Sequence, residues 1–202
     1  MTVPEVLVMI TIAGVLALLI LPNPFRARDL SRRIQCVNNL KGIGLSFRIF
    51  ASEHQDRHPM QLASGPANSE ATDPFPIGIL LSLSNQIRRP ASLACPTDLR
   101  RPANRWDDLS PRHLSYFFGM DVDEARPHSL LAGDRNLTVG GRPVVSGWHQ
   151  VTSNSLLGWS DAMHRASGNV GLADGSVQQA TAHRLREQVR AMGMVTQWLA
   201  IP

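Results

Sequence analysis

Residues 2–21 read TVPEVLVMITIAGVLALLIL, and this stretch constrains the chain more than any other. From Val6 to Leu21 no residue is charged, and nearly all are Val, Leu, Ile, Met or Ala. A helix that meets water on one side carries a polar stripe, whereas one apolar all round is either wholly buried or in lipid. No stripe is present here, so lipid is favoured over a core helix. The run is short for a bilayer span, which needs roughly 20 residues, and it reaches that length only with Val3 and Pro4. Pro22 closes it. Glu5 stands at its edge, and a carboxylate beside a membrane-depth segment is costly unless it has a partner or a function. The plainer reading of Glu5 is a surface carboxylate at the membrane interface.

The remaining length suits one domain behind an appended helix, with boundaries expected at 1–24 and 25–202. The formal net charge is only +4 in 202 residues. Lys41 is the sole lysine, so the excess of base is arginine, without a dense basic surface. Arg26, Arg28, Arg32 and Arg33 follow the apolar run. Lipid headgroups account for such a cluster better than DNA, and no nucleic-acid partner is favoured. Taken alone, the positive-inside rule would hold the C-terminal bulk in the cytoplasm. No basic segment precedes the apolar run, as a secretory signal would require. Cys36 and Cys95 permit one disulfide. Pairing is expected if the bulk lies outside the cytoplasm and free thiols if it does not. Their separation rules out a CxxC redox or zinc motif.

A break is expected at Pro22–Pro24, then a second helix over about 25–53. Ile34, Val37, Leu40, Ile43, Phe47 and Phe50 recur at spacings of three and four, giving one apolar stripe that needs a cover. Gly42 and Gly44 weaken that helix by roughly 1 kcal/mol each against alanine; close packing on a sheet would explain them, and so would fraying. Residues 54–74 read as loop, and 77–87 as a short helix. Short β-prone runs follow at 114–118, 129–132, 144–147 and 155–159, split by Gly, Pro and Asn, the pattern of an antiparallel sheet. Gly168 to Gln179 reads as a hairpin about a two-residue Asp174-Gly175 turn, with Val170, Leu172 and Val177 on one face. A C-terminal helix is expected over 180–192, with Leu185 and Val189 inward. The fold class is therefore α+β.

Chemistry-bearing motifs are sparse. His164 with Asp174 is a candidate metal or acid-base pair, but turn geometry accounts for Asp174 and Gly175, and a loop hydrogen bond for His164. Asp121, Asp123 and Glu124 lack the ligand series and fixed glycine of a calcium loop. Ser153, Ser155 and Ser160 near His149 come without a G-x-S-x-G elbow, and no phosphate-binding glycine loop is present. No catalytic residue, metal ligand or cofactor is assigned.

The opening MTVPEVLVMITIAGVLALLILP resembles the start of a mature type IV pilin or type II secretion pseudopilin. Thr2, Glu5 and Pro22 fall on the positions of that family, with Met1 where it usually has Phe. Residues 32–59 are similar to the prepilin-like proteins abundant in planctomycetes: Arg32, Arg33, Cys36, Asn38, Asn39, Leu40, Lys41, Ile43 and Gly44 match their RRxxCxNNLKxIG helix. Further local matches are the Cys95-Pro-Thr-Asp element, Leu130 to Asn136, and His164 separated by nine intervening residues from Asp174-Gly175. The resemblance implies a pilin-like fold, a long N-terminal helix packed on a small antiparallel sheet. It implies a non-enzymatic subunit of a type II secretion-type pseudopilus or related filament. Glu5 would pair with the terminal amine of a sister subunit. The expected location is a single-pass inner-membrane protein with a periplasmic domain, in contact with membrane lipid. A Cys36–Cys95 bridge would close a loop of roughly 60 residues and add about 4 kcal/mol. Precursors of this family carry a short basic leader ending in glycine. One is therefore expected upstream of Met1, with prepilin peptidase a partner only in that case; otherwise the chain is a relative that is never processed. The rival reading is a membrane-anchored extracytoplasmic ligand-binding domain that does not polymerise.

Overall fold

The computed structural model describes residues 2–20, 24–62, 75–123, 125–193 and 196–202. The break expected at Pro22 and most of the 54–74 loop lie outside them. Helix α1 spans Val3–Ile20 and α2 spans Pro24–Glu53. Thr2-x-x-Glu5 is a capping-box signature, and the Glu5 carboxylate accepts the Thr2 backbone N–H at 2.8 Å. The eighteen residues of α1 extend about 27 Å at 1.5 Å per residue, against roughly 30 Å of bilayer hydrocarbon. Among the described residues no helix is long and apolar enough to cross a membrane.

The inward face of α2 is Cys36, Leu40, Ile43, Phe47, Phe50 and Ala51, all buried. The helical period was legible, but its start was not: Ile34 is 49% exposed, and Cys36 leads the buried row instead. Gly44 packs on the sheet, where a Cβ would lie 3.6 Å from the Cα of Gly175, while a Cβ on Gly42 would meet nothing within 4 Å. Close approach therefore explains one of the two glycines.

Two short helices follow, α3 (Pro59–Leu62) and α4 (Ile77–Ser82), the latter shorter than the expected 77–87. Among the described residues nine strands come next: β1 (Tyr116–Gly119), β2 (Leu130–Asp134), β3 (Leu137–Val139), β4 (Arg142–Pro143), β5 (Gly147–Thr152), β6 (Leu157–Trp159), β7 (Gly168–Leu172), β8 (Val177–Ala180) and, after helix α5 (Ala182–Ala191), β9 (Thr196–Ile201). The main sheet has the order β5-β9-β1-β2-β7-β8, and every neighbouring pair is antiparallel. A second sheet, β4-β3-β6, is also antiparallel. The mixed α+β class with an N-terminal helix and an antiparallel sheet is thus present. Of the run expected at 144–147, residues 144–146 instead connect β4 to β5, and Gly147 opens β5.

The main sheet separates two apolar cores. One lies under α2 and includes Leu40, Phe47, Tyr116 and Phe118; the other gathers Phe117, Leu137, Trp159, Val170 and Leu172 with Leu185 and Val189 of α5. The β7–β8 hairpin corrects two expectations. Gly171 pairs with Val177, so residues 173–176 form the turn, closed by Gly175 N–H donating to Leu172 O at 2.9 Å. Gly175 takes the left-handed conformation at φ +83°, and Asp174 is not among the positive-φ residues. This register aims Val177 at the α2 core, opposite to Val170 and Leu172, because one residue of offset inverts the face.

Asp98 and Arg135 form a bidentate pair at 2.7 and 2.8 Å, with the Asp98 side chain 1% exposed. Burial alone would raise the Asp98 carboxyl, but the hydrogen bonds and charge of Arg135, with hydrogen bonds from Ser115 and the Arg100 backbone, together outweigh it and hold the carboxyl below its usual range. Asp98→Asn should cost about 2 kcal/mol near neutral pH, since breaking such a pair strands one charge. A depressed folded-state pKa contributes stability above the unfolded value, about 3.9, and loses it as pH falls through the folded value. The gap between wild type and Asp98→Asn should therefore hold from neutral pH down to about 5 and close below about 4. Thermal unfolding across pH checks this; a gap that ignores acid would exclude the charge as its cause.

Candidate functional site

Four polar side chains from four separate segments meet beneath α2. Cys36 sits one helical turn before Leu40, so the helix aims it at the sheet. Cys95 follows the 3-10 turn Pro90–Leu93. That turn is tied to the entrance of β1 by Ser115 N–H donating to Leu93 O at 3.0 Å. Asp134 is the last residue of β2. His164 lies between β6 and β7 and opens a run of three left-handed residues, His164, Arg165 and Ala166, with φ of 52°, 53° and 53°. Left-handed backbone costs roughly 1–2 kcal/mol per non-glycine residue, so the surrounding structure must hold this turn in place. Arg33 does part of that: its guanidinium donates to His164 O at 3.3 Å and to the Ser167 hydroxyl.

The contacts converge. Cys36 Sγ donates to Asp134 Oδ1 at 3.2 Å, Cys95 Sγ lies 3.3 Å from His164 Nε2, and that same nitrogen is 3.4 Å from Asp134 Oδ2. All four ligand-type atoms lie within 4.8 Å of one another, and all four residues are buried. Around them, Asp134 Oδ2 accepts the Asn169 backbone N–H at 2.6 Å and its side-chain amide at 2.9 Å. Tyr116 Oη is 3.3 Å from Cys36 Sγ, and Asn39 Nδ2 donates to Ala94 O at 3.1 Å.

Burial pushes the Cys36 thiol up and raises the Asp134 carboxyl to about 7. Cys95 is held down to about 5, first by the hydrogen bond from Cys36 and then by His164 against the opposing effect of burial. At His164 burial disfavours the imidazolium, but the bond to Cys95 and the charge of Asp134 outweigh it and raise the pKa. These shifts favour the thiolate at Cys95 and the imidazolium at His164. The residue types are those of a Cys-His-Asp nucleophilic triad, but the geometry is not. In a triad the histidine uses one ring nitrogen for the nucleophile and the other for the acid, whereas here Cys95 and Asp134 both face Nε2. Cys95 is moreover 2% exposed.

Of the residues singled out from sequence, Cys36, Cys95 and His164 meet in this cluster, with both cysteines as free thiols. Asp174 and Gly175 lie at the hairpin turn, where the Asp174 carboxylate accepts the Ser176 N–H at 2.8 Å. The acid beside His164 is Asp134, which sequence reading passed over. Its signal was a carboxylate ending the apolar run Leu130 to Gly133, since buried charges need partners. Arg33, assigned to lipid, instead holds the His164 turn.

The other candidates separate. Asp121 accepts the Trp198 N–H at 2.7 Å, Asp123 pairs with Arg126 at 3.7 Å, and Glu124 lies outside the described residues. His149 Nε2 bonds Val145 O at 2.8 Å, while the Ser155 hydroxyl accepts the Thr152 N–H at 2.9 Å. Among the described residues, Asp121 and Asp123 join no group of three or more potential metal ligands. Glu5 lies on α1, whose described side chains, from Val3 to Ala17, are all exposed. They include Val3 at 76%, Met9 at 67% and Ile10 at 62%. Exposed apolar side chains continue along α2 at Leu30, Ile34, Leu45 and Ile49.

Comparison with known proteins adds no relative: no protein-family model matches the chain, and neither the curated proteins nor the solved structures yield a match.

Proposed function

We propose that this chain is a pilin-like structural subunit of a type II secretion-type pseudopilus or related surface filament, anchored in the inner membrane with its sheet domain on the periplasmic side. The observation that carries this reading is α1, an apolar rod exposed on every face and attached to a domain whose own cores are well buried. A contiguous apolar surface of this size marks an interaction with lipid or protein. A bilayer accommodates a helix a few ångströms short by local thinning. Lipid would cover the rod before assembly, and rods of sister subunits would cover it within a filament. Side-by-side packing of α1 is then the mechanism, continued by the exposed apolar residues of α2.

Single cysteines placed between Val6 and Ala17, followed by oxidation in native membranes, test the proposal. Cys36 and Cys95 are buried and contribute little background. The expected result is a ladder of multimers whose yield varies along the helix with its period. Monomers at every position would sink the filament reading and leave the anchored, non-polymerising domain in its place.

A further inference from the structure

We propose that Cys36, Cys95, Asp134 and His164 bind a zinc ion that fastens α2 to the sheet. Ideal tetrahedral zinc, with bonds of 2.3 Å to sulfur and about 2.0–2.1 Å to nitrogen or oxygen, sets its ligands about 3.3–3.8 Å apart. The separations here are 3.2 Å from Cys36 Sγ to Asp134 Oδ1, 3.3 Å from Cys95 Sγ to His164 Nε2, and 3.4 Å from His164 Nε2 to Asp134 Oδ2. These three separations lie near coordination spacing, and all four ligand-type atoms fall within 4.8 Å of one another.

The donor chemistry selects the metal. Two sulfurs, an imidazole nitrogen and a carboxylate oxygen in tetrahedral array suit zinc, whereas calcium and magnesium take all-oxygen shells of higher coordination. A divalent cation would also neutralise the two thiolates and the carboxylate that a four-coordinate site gathers in a buried space. A disulfide would engage only two of the four groups.

The outer shell is already in place. Asn169 holds Asp134 Oδ2 through two hydrogen bonds, Tyr116 touches Cys36 Sγ, and Arg33 fixes the His164 carbonyl. Such partners orient ligands and tune their basicity. A cleft lined by Asp29, Leu30, Arg33, Thr97, His164 and Arg165 borders the cluster at His164. With four protein ligands the shell is closed, so the role is structural: zinc ties the helix, the Cys95 loop, the end of β2 and the strained His164 turn together.

The full chain, without a polyhistidine tag, is purified in detergent under reducing conditions, incubated with zinc and desalted. Metal analysis should find about one zinc ion per chain. Both cysteines should resist alkylation until a chelator is added, and the chelator should lower the thermal midpoint. Cobalt exchanged for zinc should show the intense visible bands of a tetrahedral site and a thiolate charge-transfer band. Cys95→Ser and Asp134→Asn should each weaken zinc at least tenfold; Asp134→Asn keeps the side-chain shape in case the cysteine variant does not fold. Less than about a tenth of an equivalent of zinc, a Cys36–Cys95 disulfide that persists beside added zinc, another metal in preference to it, or undiminished binding in both variants would overturn the assignment.

Discussion

Glu5→Leu is expected to leave the sheet domain folded and to reduce incorporation into filaments roughly a hundredfold or more, since an ionic group buried without its partner costs about 3 kcal/mol. In the single chain the carboxylate only caps its own helix through the Thr2 N–H. Losing that cap costs about 1 kcal/mol at a helix end remote from both cores. In a filament the same carboxylate would sit in lipid, where it needs a cationic mate. The amine of a neighbouring chain would supply one and fix the axial step between subunits. Leucine removes both roles, whereas Glu5→Gln retains a hydrogen-bond acceptor for the cap and loses the charge. Pelleting of assembled filaments, with circular dichroism of the detergent-solubilised chain, separates the two. Normal incorporation of Glu5→Leu would defeat the pairing idea. Normal incorporation of Glu5→Gln alone would assign Glu5 to capping.

The second large effect lies within the domain. Gly119→Ala should cost more than about 4 kcal/mol, in the range reserved for severe steric or cavity defects. A Cβ there would stand 1.9 Å from Leu130 O and 2.8 Å from the Gln197 side-chain amide. Neither neighbour is free to move. Leu130 is buried at the start of β2, and the Gln197 amide exchanges two hydrogen bonds with its backbone, at 2.9 and 3.1 Å. Gly119 ends β1, which lies between β9 and β2, so the clash falls inside the sheet. For a domain of this size the midpoint should drop by about 8–16 °C. A thermal melt that moves by only a degree or two would show that the sheet yields more readily than its geometry implies.

Much of the helical structure was legible. The apolar opening, the i, i+3, i+4 row of α2, the hairpin at Asp174-Gly175 and the inward Leu185 and Val189 of α5 all express short-range rules: side-chain period and turn chemistry. The first misreadings also have local causes. The helix stripe expected from the sequence began at Ile34, whereas the buried row begins at Cys36. A two-residue turn was expected at Asp174-Gly175, although the dipeptide serves a longer one equally well. Strand β9 went unread because Gln197, a polar residue at 0% exposure, interrupts its apolar pattern. Its burial is explained only by the Leu130 backbone it satisfies.

The sequence by itself determined where the three longer helices lie, which stretch is uniformly apolar, and that a sheet follows. Tertiary structure decided which strands are neighbours, which side of the sheet Val177 faces, and that Asp134 rather than Asp174 meets His164. Cys36 and Asp134 are 98 residues apart and Cys95 and His164 are 69. A periodic pattern reports the face of one element. A coordination-like cluster depends on where several elements lie in space, and that is set by strand pairing and packing of the whole chain.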